Sequence, residues 1–182
     1  MGNIKESALG LKFSNRARTQ IFAEVAVFVA LSTVLSLIKV SLPQGGSITA
    51  GSMVPMLWIA LRRGPKIGIF AGIVYGFVQL AVLPQVYYPT QMLLDYPLAF
   101  GCIGLAGFFK KEPIIGVIVA VMGRFIMHLI SGVIFFAEFA PAGMNPWLYS
   151  SLYNGSYMIP ELGISLFFIC LLWKSKVLRV YM

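Results

Sequence analysis

Few residues in this 182-residue chain carry side chains that can do acid–base, nucleophilic or metal chemistry. The sequence holds one histidine, His128, and one aspartate, Asp95. An aspartyl dyad, an H-E-x-x-H zinc site and bis-histidine haem ligation are therefore excluded. The G-x-S-x-G and G-x-x-x-x-G-K-S/T motifs are absent, so the sequence offers neither a nucleophile elbow nor an ATP-binding loop. We predict a binding or transport protein rather than an enzyme, with a serine hydrolase that uses His128 as a formal alternative.

The composition of the chain predicts that these residues are carried by helices in a membrane. Apolar residues make up 59% of the chain and charged residues 11%, whereas soluble domains carry roughly 25% charged residues. The mean hydropathy is +0.86. We predict one domain over residues 1–182, an all-α integral membrane protein whose six transmembrane helices follow an N-terminal segment at 1–19. The predicted helices span about 20–41, 51–62, 66–83, 91–108, 113–136 and 149–173.

The positions of the basic residues predict the orientation of these helices. Twelve of the 14 lysine and arginine residues lie in the two tails and in the second and fourth loops. Because cytoplasmic loops are rich in basic residues, both termini are expected in the cytoplasm, at the plasma membrane. The net charge of +8 is then explained by the orientation of the helices in the membrane rather than by nucleic-acid binding. The glycine-rich segment before the short second helix is expected to be buried in protein or to line a cavity, because lipid cannot satisfy its backbone.

Ionisable residues inside predicted helices need a partner or a path to water, because an unpaired charge in a bilayer is costly. Glu24 and Lys39 lie near the ends of helix one, where long side chains can snorkel to the interface. Arg124 and Glu161 reach similar mid-membrane depths at about 1.5 Å per residue. We expect these two residues to form a structural ion pair, and a direct role in ligand binding is the alternative.

The same depth argument places a group of polar and aromatic residues together on the external side of the membrane. Some members lie at the start of helix four or helix six, and the others lie on one face at the external end of helix five. The group consists of Asp95, Tyr96, His128, Gly132, Phe136, Tyr149 and Asn154. A carboxylate, an imidazole, an amide and an aromatic wall are typical of a pocket for a small, partly cationic aromatic ligand. A polar cluster that only holds helix ends together is the competing interpretation, as is the interfacial aromatic belt for Phe136 or Tyr149 alone.

Small residues recur at helical spacing on three of the predicted helices. Helix three carries glycines at 68, 72 and 76, and helix four carries them at 101, 104 and 107. This spacing predicts close packing inside the bundle. Ala26 and Ala30 are spaced in the same way on helix one, where they serve either internal packing or an external partner.

Several separated motifs resemble one family, the thiamine-binding membrane subunits (S components) of energy-coupling factor vitamin transporters. The resemblance runs from helix one to the last helix, and its motifs are PQGGSIT (43–49), MVP (53–55), ALRRG (60–64), QMLLDYPLAF (91–100), RFIMHLISGVIFFAEFAPAG (124–143) and YSSLYNGSYMIPE (149–161). It implies a six-helix bundle that binds thiamine from outside and needs no cofactor. The partners that it implies are a transmembrane coupling protein and two cytoplasmic ATPases.

The resemblance also implies a role for each site residue. Asp95 occupies the family's acidic position and would face the cationic part of thiamine. Phe136 lies where some members have tryptophan, which implies weaker stacking or a different ring geometry. Gly132 would let the ligand approach helix five. The other implied contacts are Tyr96, His128, Tyr149 and Asn154, with Ser47 and Thr49 in the first loop, where some members have a tryptophan and a glutamate instead.

The segment FAEVAVFVALS (22–32) resembles the part of helix one in which family members place an alanine pair against the coupling protein. Ala26 and Ala30 are therefore the implied docking residues. The resemblance implies thiamine uptake without catalysis by this chain. A secondary transporter of another small cationic or aromatic solute is the alternative function, although the two halves of the chain show no convincing internal similarity.

Overall fold

The computed structural model describes residues 4–6, 12–43 and 46–175, and it is mostly helical. The helices are α1 (Asn15–Leu37), α2 (Met53–Arg63), α3 (Pro65–Val82), α4 (Pro89–Phe108), α5 (Pro113–Phe135) and α6 (Pro146–Lys174). Within the described residues, five of these helices are long and apolar enough to cross a membrane, and α2, with 11 residues, is not among them. This is the architecture of a multi-pass membrane protein.

Two short antiparallel hairpins depart from the predicted all-helical fold. Strand β1 (Ile4–Glu6) pairs with β2 (Lys12–Ser14), and β3 (Lys39–Ser41) pairs with β4 (Ser47–Thr49). The segment 1–19 therefore contains β1, β2 and the first turn of α1. Helix α1 lies about one turn earlier than predicted. Lys39 lies in β3, where it is exposed, rather than at the end of α1, so the prediction that it belongs to helix one was wrong.

Helix α2 lies in the core of the bundle rather than against lipid. Met53, Leu57 and Leu61, at spacings of four residues, are completely buried. The helix packs on α1, on α3 and on the second half of α4. The segment before it, from Gly46 to Ser52, lines a cavity at several positions, as its glycine content led us to expect.

Close backbone approach between α3 and α4 explains the glycine series. A Cβ atom on Gly76 would lie 2.7 Å from the carbonyl carbon of Tyr96 and 2.8 Å from the Cα atom of Pro97. Gly104 faces the backbone of Gly68 in the same way. The predicted close packing of helices three and four is therefore confirmed, and it holds the part of α4 around Asp95 directly against α3.

Helix α4 changes its winding where it carries the only aspartate. Residues Leu94–Leu98 form a π-helical turn, and Cys102–Phe108 form a 3₁₀ helix. Pro97 lies inside the π turn, where its missing N–H removes one helical hydrogen bond. Such wide turns are frequent at functional sites. The turn presents Asp95 and Tyr96 at the same level of the bundle.

Charges near the N-terminal end of α1 join it to α2. The Arg63 guanidinium donates to the two carboxylate oxygens of Glu24 at 2.7 and 2.5 Å, and Arg62 approaches the same carboxylate at 3.4 Å. This pairing of Glu24 was not predicted from the sequence. Ala26 and Ala30 are exposed on α1, beside the buried Val25 and Val29, so the alanine pair does not pack inside the bundle.

Candidate functional site

A cavity of about 170 Å³ lies between the hairpin β3–β4 and helices α3 to α6. Its wall is both polar and aromatic, as the sequence predicts for this region. The structure brings all nine predicted site residues to this wall: Ser47, Thr49, Asp95, Tyr96, His128, Gly132, Phe136, Tyr149 and Asn154. They come from four separate segments, so the cavity is the place where the fold joins them.

The Asp95 carboxylate is held by three side chains on the wall. One oxygen accepts from Gln91 Nε2 at 2.6 Å and from Ser131 Oγ at 2.9 Å. The other oxygen lies 2.9 Å from His128 Nδ1. Its side chain is 16% exposed. Three donors around one carboxylate satisfy its oxygens and fix the direction of the side chain.

The hydrogen-bond roles of the two His128 ring nitrogens follow from their neighbours. Arg124 Nε, which always carries a proton, lies 3.2 Å from His128 Nε2. That ring nitrogen must therefore accept, so Nδ1 carries the proton and donates to Asp95. The Arg124 guanidinium carbon lies 4.3 Å from the centre of the Phe100 ring. A chain of hydrogen bonds thus runs from Arg124 through His128 to Asp95.

Glu161 lies deep in the wall, with 2% of its surface exposed. One carboxylate oxygen accepts from the backbone amide of Thr49 in β4, and the other is buried without a hydrogen-bond partner. The predicted ion pair with Arg124 was therefore wrong. Both residues line the cavity, but Arg124 faces His128 and Phe100 while Glu161 faces the hairpin.

One face of α6 forms a ladder of side chains along the cavity. Tyr149, Tyr153, Tyr157 and Glu161 follow at intervals of four residues, and adjacent tyrosine rings lie 6.3 and 6.0 Å apart. The Tyr153 hydroxyl donates to the carbonyl of Pro43 and accepts from the Gly46 amide at 2.8 Å. The hairpin is thus fastened to α6 near its turn and again at β4. Tyr153 and Tyr157 were missed by the sequence analysis, although the spacing from Tyr149 signals them.

Asn154 and Gly132 lie where α5 and α6 meet. The Asn154 amide donates to Ser150 O at 2.9 Å, and its oxygen accepts from the Tyr157 hydroxyl at 2.5 Å. A Cβ atom on Gly132 would lie 3.0 Å from Ser150 Cβ and would meet its hydroxyl more closely still. Gly132 is therefore needed for the approach of α6, in addition to lining the cavity.

The hydroxyl groups of two predicted contacts are engaged with the protein itself. The Tyr96 hydroxyl accepts from the Gln85 amide at 2.7 Å and donates to Leu83 O at 2.9 Å. The Thr49 hydroxyl donates to Ser52 Oγ at 2.8 Å and accepts from the Ser52 amide at 3.1 Å. These hydroxyls hold the loops at the cavity, and a ligand would meet the rest of each side chain.

The chemistry of this wall is that of binding. Neither ring nitrogen of His128 bonds a serine, because Asp95 and Arg124 occupy them, so the hydrolase alternative has no nucleophile–base pair here. Among the described residues, no group of three or more histidine, cysteine or acidic side chains could hold a metal ion. The four charged side chains on the wall are Lys39, Asp95, Arg124 and Glu161. A buried carboxylate beside aromatic rings suits a ligand with a cationic ring.

Comparison with known proteins gives concordant matches along most of the chain. A family model described as "Thiamine transporter protein" matches residues 22–180. The chain is 36% identical over 172 residues to the thiamine transporter ThiT of Bacillus subtilis, covering 84% of this chain and 89% of the relative. It is 28% identical over 155 residues to ThiT of Lacticaseibacillus paracasei, covering 74% and 77%. A solved structure of ThiT from Listeria monocytogenes superposes with a TM-score of 0.79 at 30% identity, covering 87% of this chain and 96% of that one.

Proposed function

The chain belongs to the thiamine transporter protein family, and we propose that it is the high-affinity thiamine-binding subunit, the S component, of an energy-coupling factor transporter for thiamine uptake. The family consists of transport proteins rather than enzymes, in agreement with the sequence analysis. The observation that carries the proposal is the shielded Asp95 carboxylate, which three donors hold in a cavity with an aromatic wall.

The wall suits the chemistry of thiamine. Thiamine joins a permanently cationic thiazolium ring to an aminopyrimidine ring, so it needs an anion, aromatic surfaces and neutral hydrogen-bonding groups. Asp95 supplies the anion, and its attraction to a cation is stronger in a partly buried site than in bulk water. Phe136 and Tyr149 supply ring surfaces. His128 and Asn154 supply the polar groups, while Ser47, Thr49, Tyr96 and Gly132 complete the wall.

ATP-driven uptake requires partners, because the sequence has no ATP-binding loop. We assign six membrane-spanning helices, with both termini in the cytoplasm of a plasma-membrane protein, from the distribution of basic residues. The partners in the proposal are a transmembrane coupling protein and two cytoplasmic ATPases. Ala26 and Ala30 on the exposed face of α1 form its docking strip for the coupling protein.

Calorimetric titration of the purified chain with thiamine tests the proposal directly. We expect one saturable site, and we expect mass spectrometry to find thiamine retained after gentle purification. Choline is the matched control, since it carries a fixed positive charge without aromatic rings and should bind far more weakly. Absence of thiamine binding would overturn the proposal. Uptake by proteoliposomes that contain this chain alone, driven by an ion gradient, would instead favour the secondary transporter.

Single-cysteine labelling from outside the cell tests the orientation. Cysteines introduced at Gln85 and Gly143 should react with a membrane-impermeant maleimide, whereas cysteines at Lys66 and Lys110 should react only after the membrane is opened. All four positions are exposed, so access to the reagent is decided by the side of the membrane. A background in which serine replaces both native cysteines removes competing signals. The reverse labelling pattern would invalidate the orientation and the external entry of thiamine.

The size of the ring at position 136 should set the stacking contribution to thiamine binding. Phe136 packs edge-on against Tyr87, with ring centroids 5.3 Å apart, and lines the cavity. Phe136→Ala should weaken binding about three- to tenfold, the usual magnitude for an aromatic contact. Phe136→Trp should bind thiamine equally or more tightly. Phe108→Ala, at an exposed ring outside the cavity wall, is the control, and equal affinities for all variants would remove Phe136 from the site.

A further inference from the structure

Gln91 is a buried amide that connects four separate groups. Its oxygen accepts from the backbone amides of Tyr87 at 3.0 Å and Tyr88 at 3.5 Å. Its nitrogen donates to Gln85 O at 3.1 Å and to the Asp95 carboxylate at 2.6 Å. The residue is 2% exposed and lines the cavity. One side chain thus holds both the backbone of a loop and the carboxylate of the candidate site.

The direction of this amide is determined by its neighbours. Two backbone N–H groups face one end, and a carbonyl and a carboxylate face the other. The reversed amide would set its NH₂ group against two donors and its oxygen against two acceptors, and burial makes such unpaired groups costly. The arrangement is therefore fully satisfied in a single orientation, which links the loop to Asp95 specifically.

The loop that Gln91 holds, residues 83–88, joins α3 to α4 at the exposed end of the cavity. Its first part is also bound by Tyr96, which follows Asp95 on α4. Its last part crosses to α5, where Tyr87 packs against Phe136 and Tyr88 stacks on Phe135 at 5.4 Å. The loop therefore bridges the two helices that carry Asp95 and His128.

We propose that Gln91 is a positioning residue that couples the loop 83–88 to the Asp95 carboxylate, so that this loop closes the cavity over a ligand held by Asp95. The proposal rests on the proposed function for the identity of the ligand. A loop that closes after binding must open before release, so its fastening sets the dissociation rate more than the association rate. Gln91 need not touch thiamine to have this effect.

Gln91→Met tests the coupling, because methionine has a similar length but cannot make the four hydrogen bonds. We expect thiamine to dissociate about tenfold faster or more from this variant in a chase with radiolabelled thiamine, with an association rate within about twofold of wild type. In hydrogen-exchange mass spectrometry, thiamine should protect the loop 83–88 in wild type and fail to do so in the variant. Thr90→Val is the matched control, since Thr90 is the exposed neighbour of Gln91 and lies outside the cavity wall.

The loop readout separates coupling from a simpler structural role. If Gln91 only held the Asp95 side chain, thiamine would bind more weakly to Gln91→Met but would still protect the loop, and the proposal would be wrong. If Gln91→Met does not fold, Gln91→Glu replaces it. That variant keeps acceptors for the amides of Tyr87 and Tyr88 but has no N–H for Asp95, so thiamine-dependent protection of the loop should again be lost.

Failure of the proposed function gives a different result from failure of this inference. A wild-type chain that binds no thiamine contradicts the function before any variant is compared. A wild-type chain that binds thiamine, with unchanged dissociation and loop protection in both Gln91 variants, contradicts the coupling alone.

Discussion

Asp95→Asn should weaken thiamine binding at least tenfold, or ~1.4 kcal/mol, while leaving the fold intact. The substitution removes a full negative charge from a cavity whose wall also holds the cations of Lys39 and Arg124. Asparagine also has one acceptor oxygen in place of two, whereas the aspartate receives hydrogen bonds from Gln91, Ser131 and His128. Calorimetric titration with thiamine measures the loss, and thermal unfolding checks the fold.

Two further variants isolate the role of the charge at Asp95. Asp95→Glu keeps the carboxylate and should bind more tightly than Asp95→Asn. Glu138→Gln removes one negative charge from an exposed position outside the cavity wall and should leave the affinity unchanged. His128→Ala should also weaken binding, because it removes one of the donors to Asp95. If Asp95→Asn and His128→Ala both titrate as wild type does, the proposed pocket is not the thiamine site.

Position along a helix predicts depth, and depth was enough to group most of the site. Asp95, His128 and Asn154 lie far apart in sequence, yet each falls at the level of the cavity, because a helix rises by about 1.5 Å per residue. Their grouping on one wall agrees with that reasoning. The direction of each side chain around its helix axis is a separate quantity, and long apolar helices carry little information about it, since nearly all of their faces are apolar.

The errors follow from this missing rotational information. Arg124 and Glu161 share a depth but face different neighbours, so the expected ion pair does not form. Gln91 was missed because its role depends on a loop backbone that no side-chain pattern describes. Glu24 was assigned to the interface, although Arg63 of α2 lies beside it.

The β3–β4 hairpin was missed for a compositional reason. Each strand has only three residues of mixed polarity, KVS and SIT, which is too short to show the alternation of a strand, and Lys39 was assigned to helix one. Pro43 and the glycines that follow it were the available turn signal. The π turn of α4 was equally hidden, because Pro97 alone does not specify how a helix will compensate for its missing N–H.

Ala26→Trp combined with Ala30→Trp, on the exposed strip of α1, should abolish assembly with the coupling protein. ATP-dependent thiamine uptake should be lost with it. The two alanines are one turn apart and exposed, so they leave a flat strip that another helix can approach closely. Two indole rings would fill that space. They would not overpack the subunit itself, because Val25 and Val29, not the alanines, pack in its core.

The isolated double variant should therefore bind thiamine with nearly wild-type affinity, while co-purification with the coupling protein and ATPases, and uptake by the reconstituted complex, should both fail. Leu152→Trp with Ile159→Trp is the matched control, since these α6 side chains are 60% and 71% exposed and lie outside the strip. Normal assembly and transport by the alanine variant would show that the strip is not the docking face. Loss of thiamine binding by the isolated variant would show instead that bulk at these positions disturbs the subunit, because a docking surface alone has no reason to change the cavity.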